Sequence, residues 1–281
     1  MKYKIVSDSS SNIVTLEHVP FASVPLHIIV GEEEFIDNAS VDLQHMEKAL
    51  SACTSSSTAC PGMGTWLDAF GDAEMIFCVT ITSSLSGSYA SAVMAKEEYE
   101  KLYPDRHVYV IDSLSTGPEM VLILEKLQEL ILSGMDGERI FQEIRAYTRH
   151  THLLFSLESL SNLAKNGRVS KTVAALAGIL GIRVVGQASA EGELEMLSKC
   201  RGEQCTLSCI VKCMGKLGYT NGRIRIAHNN NEETARKLAT QIQETYDGTD
   251  IRIVSTGALC SYYAEKGGLL VGFEEEKGAV R

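Results

Sequence analysis

Short β-branched runs alternating with stretches of helical periodicity constrain this chain more than any other feature. KYKIVSD, SVPLHIIV followed by a turn and EEFID, MIFCVTI and HVYVID read as strands. Between and after them the apolar spacing predicts helices over 43–50, 63–70, from Tyr89 onward, over 120–132 and over 136–149. Strands interleaved with helices favour a parallel sheet with helices on both faces. In the helix over 120–132, Val121, Leu124, Leu127 and Ile131 make one apolar face, and Ser133-Gly134 supplies the stop. Ligands of such sheets sit beyond the carboxyl ends of the strands.

From about residue 150 the pattern changes. HLLFSL is strand-like, LESLSNLAKNGRVS is a short helix with a turn, and TVAALAGILG is a helix of small residues. IRVVGQASAEGELEMLSK reads as two strands joined at Glu191-Gly192. A helix over 202–217 follows, then strand RIRIAH, helix EETARKLATQIQETY and strands DIRIVST and LLVGFE. Hairpins and crossovers are mixed, and 281 residues suffice for two cores. The expected fold is therefore two α/β domains, an N-terminal parallel-sheet, Rossmann-like domain over 1–150 and a C-terminal mixed-sheet domain over 151–281, with a ligand between them.

A net charge of −10 and the lack of a basic run with interleaved aromatics argue against nucleic acid as a partner. No secretory signal precedes the first strand, and the longest apolar stretch, 173–182, is too short to span a bilayer, so a cytoplasmic protein without stable membrane insertion is expected. Eight cysteines would then be mostly reduced. Three of them, Cys205, Cys209 and Cys213 in CTLSCIVKC, fall on one helical stripe. A metal or redox site lacks a C-x-x-C or a nearby histidine to complete it, whereas cysteine is a common buried apolar residue. No phosphate-binding G-x-x-x-x-G-K-[ST] loop occurs, and no cofactor or metal is expected.

The segment ITSSLSGSYASA, 81–92, places Ser83, Ser84, Ser86 and Gly87 at a strand-to-helix junction. The first amides of a helix lack partners and lie at the positive end of its dipole, so serine hydroxyls and a close-approaching glycine can receive an anionic group there. The alternative is that Ser84 or Ser86 caps the helix.

Several segments in this order resemble the DegV family of bacterial fatty-acid-binding proteins: VSDSSSNI, VPLHIIVGEEEFID, ITSSLSGSYASA, VIDSLSTG and LSNLAKNGRVSK. The family's Thr-Ser-Gln-Pro-Ser loop is reduced to TACPG, with Thr58 and Pro61 at the matching positions. The resemblance implies that Thr58 and Ser86 bind a fatty acid carboxylate, with Gly87, Ser83 and Ser84 in the same junction. It places Tyr263 where the family has a carboxylate-contacting histidine. A tyrosine still donates a hydrogen bond, but with an ordinary pKa of about 10 it offers no imidazolium charge.

The function so implied is a non-enzymatic carrier that buries a long-chain fatty acid such as palmitate or oleate and presents it to a fatty acid kinase, with Arg168 and Arg201 as the assisting arginines. Leu26, Ile28, Leu157, Leu160, Ile179, Leu180 and Ile182 are candidate tunnel walls, and Met63 and Trp66 candidates for an entrance; each is also an ordinary core residue. The rival is a hydrolase using Ser86. SLSGS is not a G-x-S-x-G elbow, and of seven histidines only His228, at a strand end, suggests a base.

Overall fold

The computed structural model describes residues 2–170 and 181–275. The helix expected over 172–181, and with it Ile179 and Leu180, falls almost wholly outside them.

The chain opens with β1 (Tyr3–Asp8), a 3-10 turn at Ser9–Ser11 and β2 (Phe21–Val24). Pro25 cannot donate to a ladder, and the strand expected over 23–30 breaks there. Its second half is β3 (His27–Val30), which turns at Gly31 into β4 (Glu33–Ile36). After α1 (Leu43–Ala52), β5 (Ser56–Ala59) pairs antiparallel with β3. A small three-stranded sheet, β4-β3-β5, thus stands apart from the main one. Next come α2 (Met63–Phe70), β6 (Met75–Thr80), α3 (Ser88–Leu102), β7 (His107–Asp112), α4 (Pro118–Leu132) and α5 (Gly137–Tyr147). The first main sheet has the order β2-β1-β6-β7 and every pairing in it is parallel. All six residues of β6 are buried, as a central parallel strand covered on both faces requires. Trp66, Phe70 and Tyr99 pack α2 and α3 against one face.

The second half contains β8 (Thr151–Leu157), α6 (Ser161–Lys165), β9 (Ile182–Ala188), β10 (Leu194–Arg201), α7 (Glu203–Lys216), β11 (Gly222–His228), α8 (Glu232–Thr245), β12 (Thr249–Ser255), α9 (Ala258–Ala264) and β13 (Leu269–Glu274). Its sheet runs β10-β9-β8-β13-β11-β12, parallel only between β11 and β12. Cys209 and Cys213 pack from α7 against the core of this sheet beside the buried Cys200, while Cys205 is exposed. Among the described residues no group of three or more His, Cys, Asp or Glu is arranged to hold a metal ion.

Helix α4 lies between the two main sheets. Beyond the face read from sequence, Met120, Leu122, Ile123 and Leu130 are also buried, because α4 touches β1 and β6 on one side and β8, β11 and β13 on the other. Gly272 makes the approach possible: a Cβ there would lie 2.5 Å from the backbone of Pro118 and Glu119. Among the described residues no helix is long and apolar enough to cross a membrane.

Glu119, on the first turn of α4, is enclosed by this packing. Its carboxyl accepts from the Ser115 hydroxyl at 2.5 Å and the Thr151 hydroxyl at 2.7 Å. Burial outweighs these bonds and pushes its pKa from 4.5 up to about 7. The native state therefore holds a proton between those values that the unfolded chain has released, so stability falls as pH rises through that window and levels above it. Glu119→Gln removes the ionisation. Denaturant unfolding should show it more stable than the wild type at pH 8, by up to about 3 kcal/mol, with the gap shrinking towards pH 5.

Candidate functional site

A cavity of about 330 Å³ lies between the first sheet's carboxyl end and the cavity-facing side of the second. From the N-terminal half it is lined by Leu26, Ile81, Leu85 and Thr116, and from the C-terminal half by Leu153, Phe155, Leu157, Leu194 and Leu270. Strand alternation explains the second wall, since residues 153, 155 and 157 of β8 share one face.

Thr58, Ser86, Tyr263 and Arg168 line the cavity close to one another, since Thr58 bonds Tyr263, the Arg168 charge acts on Tyr263 and Arg168 bonds the carbonyl of Leu85 next to Ser86, while Gly87 lies against Cys60. Thr58 comes from β5 and Tyr263 from α9, and their hydroxyls meet at 2.7 Å. The same two elements pair again through Ser56 and Tyr262 at 2.8 Å. Burial raises the Tyr263 pKa, partly offset by the Thr58 bond and the nearby Arg168 charge, so its hydroxyl is a neutral donor at neutral pH. Among the described residues of the lining, Arg168 is the only charged side chain. Its Nε donates to the Leu85 carbonyl at 3.0 Å and its guanidinium also donates to the Asn166 carbonyl. Asn162 and Asn166 donate to the carbonyl and hydroxyl of Tyr262, which ties the α6 segment carrying Arg168 to α9.

The serine-rich junction divides its work. Gly87 is the N-cap of α3 and makes no side-chain cap bond, while the Ser86 hydroxyl accepts from the Ser88 amide at 3.2 Å and lines the cavity. Ser84 donates to the Glu191 carbonyl at 2.6 Å and Thr82 to the Gly192 carbonyl at 3.0 Å, fastening the junction to the β9–β10 turn. The exposed Ser83 uses its amide on the Asp112 carboxylate. Neither Ser83 nor Ser84 lines the cavity, and neither does Arg201, an exposed residue at the end of β10.

Of the proposed walls, Leu26 and Leu157 line the cavity, whereas Ile28 packs beneath α1, Leu160 lies in the adjoining core and Ile182 is half-buried in β9. Trp66, on α2, is fully buried and Met63, at its start, is exposed. His228 accepts from the Asn231 amide at 3.4 Å, and none of the described residues lining the cavity is a histidine. Sequence reading passed over Phe155, Leu194 and Leu270, whose alternation with neighbours was the available signal, and over α9, seven residues without a capping side chain.

Two α/β halves enclosing an apolar chamber with hydroxyls and one arginine at one part of it define the class of this protein: an α/β protein with a chamber between its sheets. The chain belongs to the DegV family: it matches the family described as "Uncharacterised protein, DegV family" over residues 2–276. A DegV domain-containing protein of Streptococcus pneumoniae is 44% identical over 279 residues, 98% of this chain and 99% of the relative. Among solved structures, a DegV family protein from Eubacterium eligens loaded with heptadecanoic acid has a TM-score of 0.96 and 45% identity, covering 98% of this chain and 100% of that one. The Streptococcus pneumoniae fatty acid kinase (Fak) B3 protein loaded with linoleic acid has a TM-score of 0.96 and 43% identity over the same shares.

Proposed function

We propose that this protein is a cytoplasmic carrier that buries the tail of a long-chain fatty acid in the cavity and holds its carboxylate at Thr58, Ser86 and Tyr263. The observation that carries this reading is the cavity itself, apolar along the sheets and polar at one place. An acyl chain needs such a wall and such a stop. A C16 chain has about 14 methylenes, and at ~0.8 kcal/mol each their burial contributes ~11 kcal/mol as an upper bound. The tail dominates affinity. Donors at the polar end offset the several kcal/mol that carboxylate burial costs and fix its orientation. That two relatives near 45% identity carry heptadecanoic and linoleic acids supports the assignment.

Native mass spectrometry with ligand extraction tests it: one C14 to C18 acid per chain is expected, and a chain that stays empty after incubation with palmitate and oleate refutes it. Thr58→Ala should weaken binding by about 1–3 kcal/mol without abolishing it, and Ser86→Ala should act in the same direction. An unchanged Kd would remove that residue from the site.

The Fak B3 relative supports a further step, presentation of the bound acid to a fatty acid kinase with Arg168 beside the carboxylate. Binding rather than turnover is the activity proposed for the chain itself, and an acyl phosphate formed only when such a kinase and ATP are added is the expected result.

A further inference from the structure

Phe155 of β8 stands directly opposite Gly186 of β9 in the antiparallel register, on the face that lines the cavity. Its ring occupies the place where a residue-186 side chain would be. A Cβ built on Gly186 would lie 2.6 Å from Cε2 of Phe155, overlap the ring at Cζ, and run into the Glu195 carbonyl oxygen of β10. The ring is therefore folded flat against the sheet, and it lies there because residue 186 has no side chain. Along β8, Leu153 and Leu157 flank Phe155 at intervals of roughly 6.6 Å, so the ring sits midway along this wall, between the Leu157 end nearest α6 and Arg168 and the opposite end.

Resting on the fatty acid reading above, we infer that the Phe155–Gly186 pair sets the width of the cavity at mid-chain and thereby selects between straight and bent acyl chains. A saturated chain is narrow throughout its length. A cis double bond displaces the chain sideways near its middle, where the retracted ring leaves room. Interiors are close-packed, so lifting the ring into the chamber excludes the bend before it excludes the straight chain. The ring's neighbours in the β8 wall, Leu153 and Leu157, are aliphatic and buried in the same core.

The experiment is a competition between oleate and stearate, equal in length, at equimolar concentration. Native mass spectrometry reads total occupancy and extraction reads the ratio of the two acids. Gly186→Ala, which drives the ring outward, should lower the oleate-to-stearate ratio by about fivefold or more, and Phe155→Leu should raise it by a similar factor. The double variant should keep the raised ratio of Phe155→Leu to within about twofold, because the leucine no longer meets the new methyl group. Should the Glu195 clash prevent Gly186→Ala from folding, Phe155→Leu decides alone. Ratios equal within about twofold at full occupancy in the folded variants overturn the inference and leave the carrier reading intact. A wild-type protein that takes up neither acid overturns both.

Discussion

Asp8→Ala is expected to cost about 3 kcal/mol or more and to release the serine-rich junction that borders the cavity. Asp8 ends β1, is fully buried, and uses both carboxylate oxygens twice. Oδ1 accepts from the Ser10 amide at 3.3 Å and from the Ser10 hydroxyl; Oδ2 accepts from the Ile81 amide at 2.8 Å and the Ser88 hydroxyl at 2.6 Å. One side chain thus joins the end of β1, the residue just past β6 and the first turn of α3. Alanine would leave these donors buried without acceptors, at about 1–3 kcal/mol each before relaxation. Ser86 lies between Ile81 and Ser88, so fatty acid affinity should fall with stability even though Asp8 is not in the lining. Asp8→Asn keeps the shape but turns a donor towards one pair of donors, and should recover only part of the loss. Burial also pushes the Asp8 pKa from 3.8 up to about 6 despite its bonds, so its contribution weakens as pH rises through that window. Denaturant unfolding checks the prediction, and a change below about 1 kcal/mol would show that these bonds do not hold the junction.

Glu125→Ala should destabilise the protein by about 3–5 kcal/mol, because it strips a buried arginine of its bidentate partner. Arg225 is 3% exposed in β11. Its Nε and a terminal nitrogen meet the Glu125 oxygens at 2.9 and 2.7 Å, and it also reaches Asp250 at 3.0 Å. Arg252 adds a bond to Glu125 at 3.2 Å. Glu125 is on α4, so this network holds the shared helix against the second sheet. Replacing both partners, Glu125→Met with Arg225→Met, should recover most of the loss, since no unpaired charge then remains. Thermal or denaturant unfolding of the single and double variants separates the two cases. If Glu125→Ala matches the wild type, this ion-pair network does not hold α4 in place.

How much of this was legible beforehand differs by element. β6 announced itself as an apolar run between helices, and the switch to hairpins near residue 150 was visible in the spacing of turns and strands. β5 was not, because SSTA has no alternation of its own and becomes a strand only by bonding to β3. The junction's hydroxyls were conspicuous, yet their separate tasks were hidden: Ser84 fastens the β9–β10 turn and Ser88 binds Asp8, while Ser86 lines the cavity. Arg168 could be singled out, but its position depends on a Leu85 carbonyl more than eighty residues away in sequence.

The sequence by itself determined most of the strands and helices and the class of fold, because periodicity and turn chemistry act over a few residues. It also carried the family resemblance. Only the tertiary structure decided that α4 is buried on both sides, that Thr58 meets Tyr263, and that Phe155 lies over Gly186. Each of these depends on side chains distant in sequence meeting across a packed interface, and local pattern contains no information about which distant residues will be neighbours.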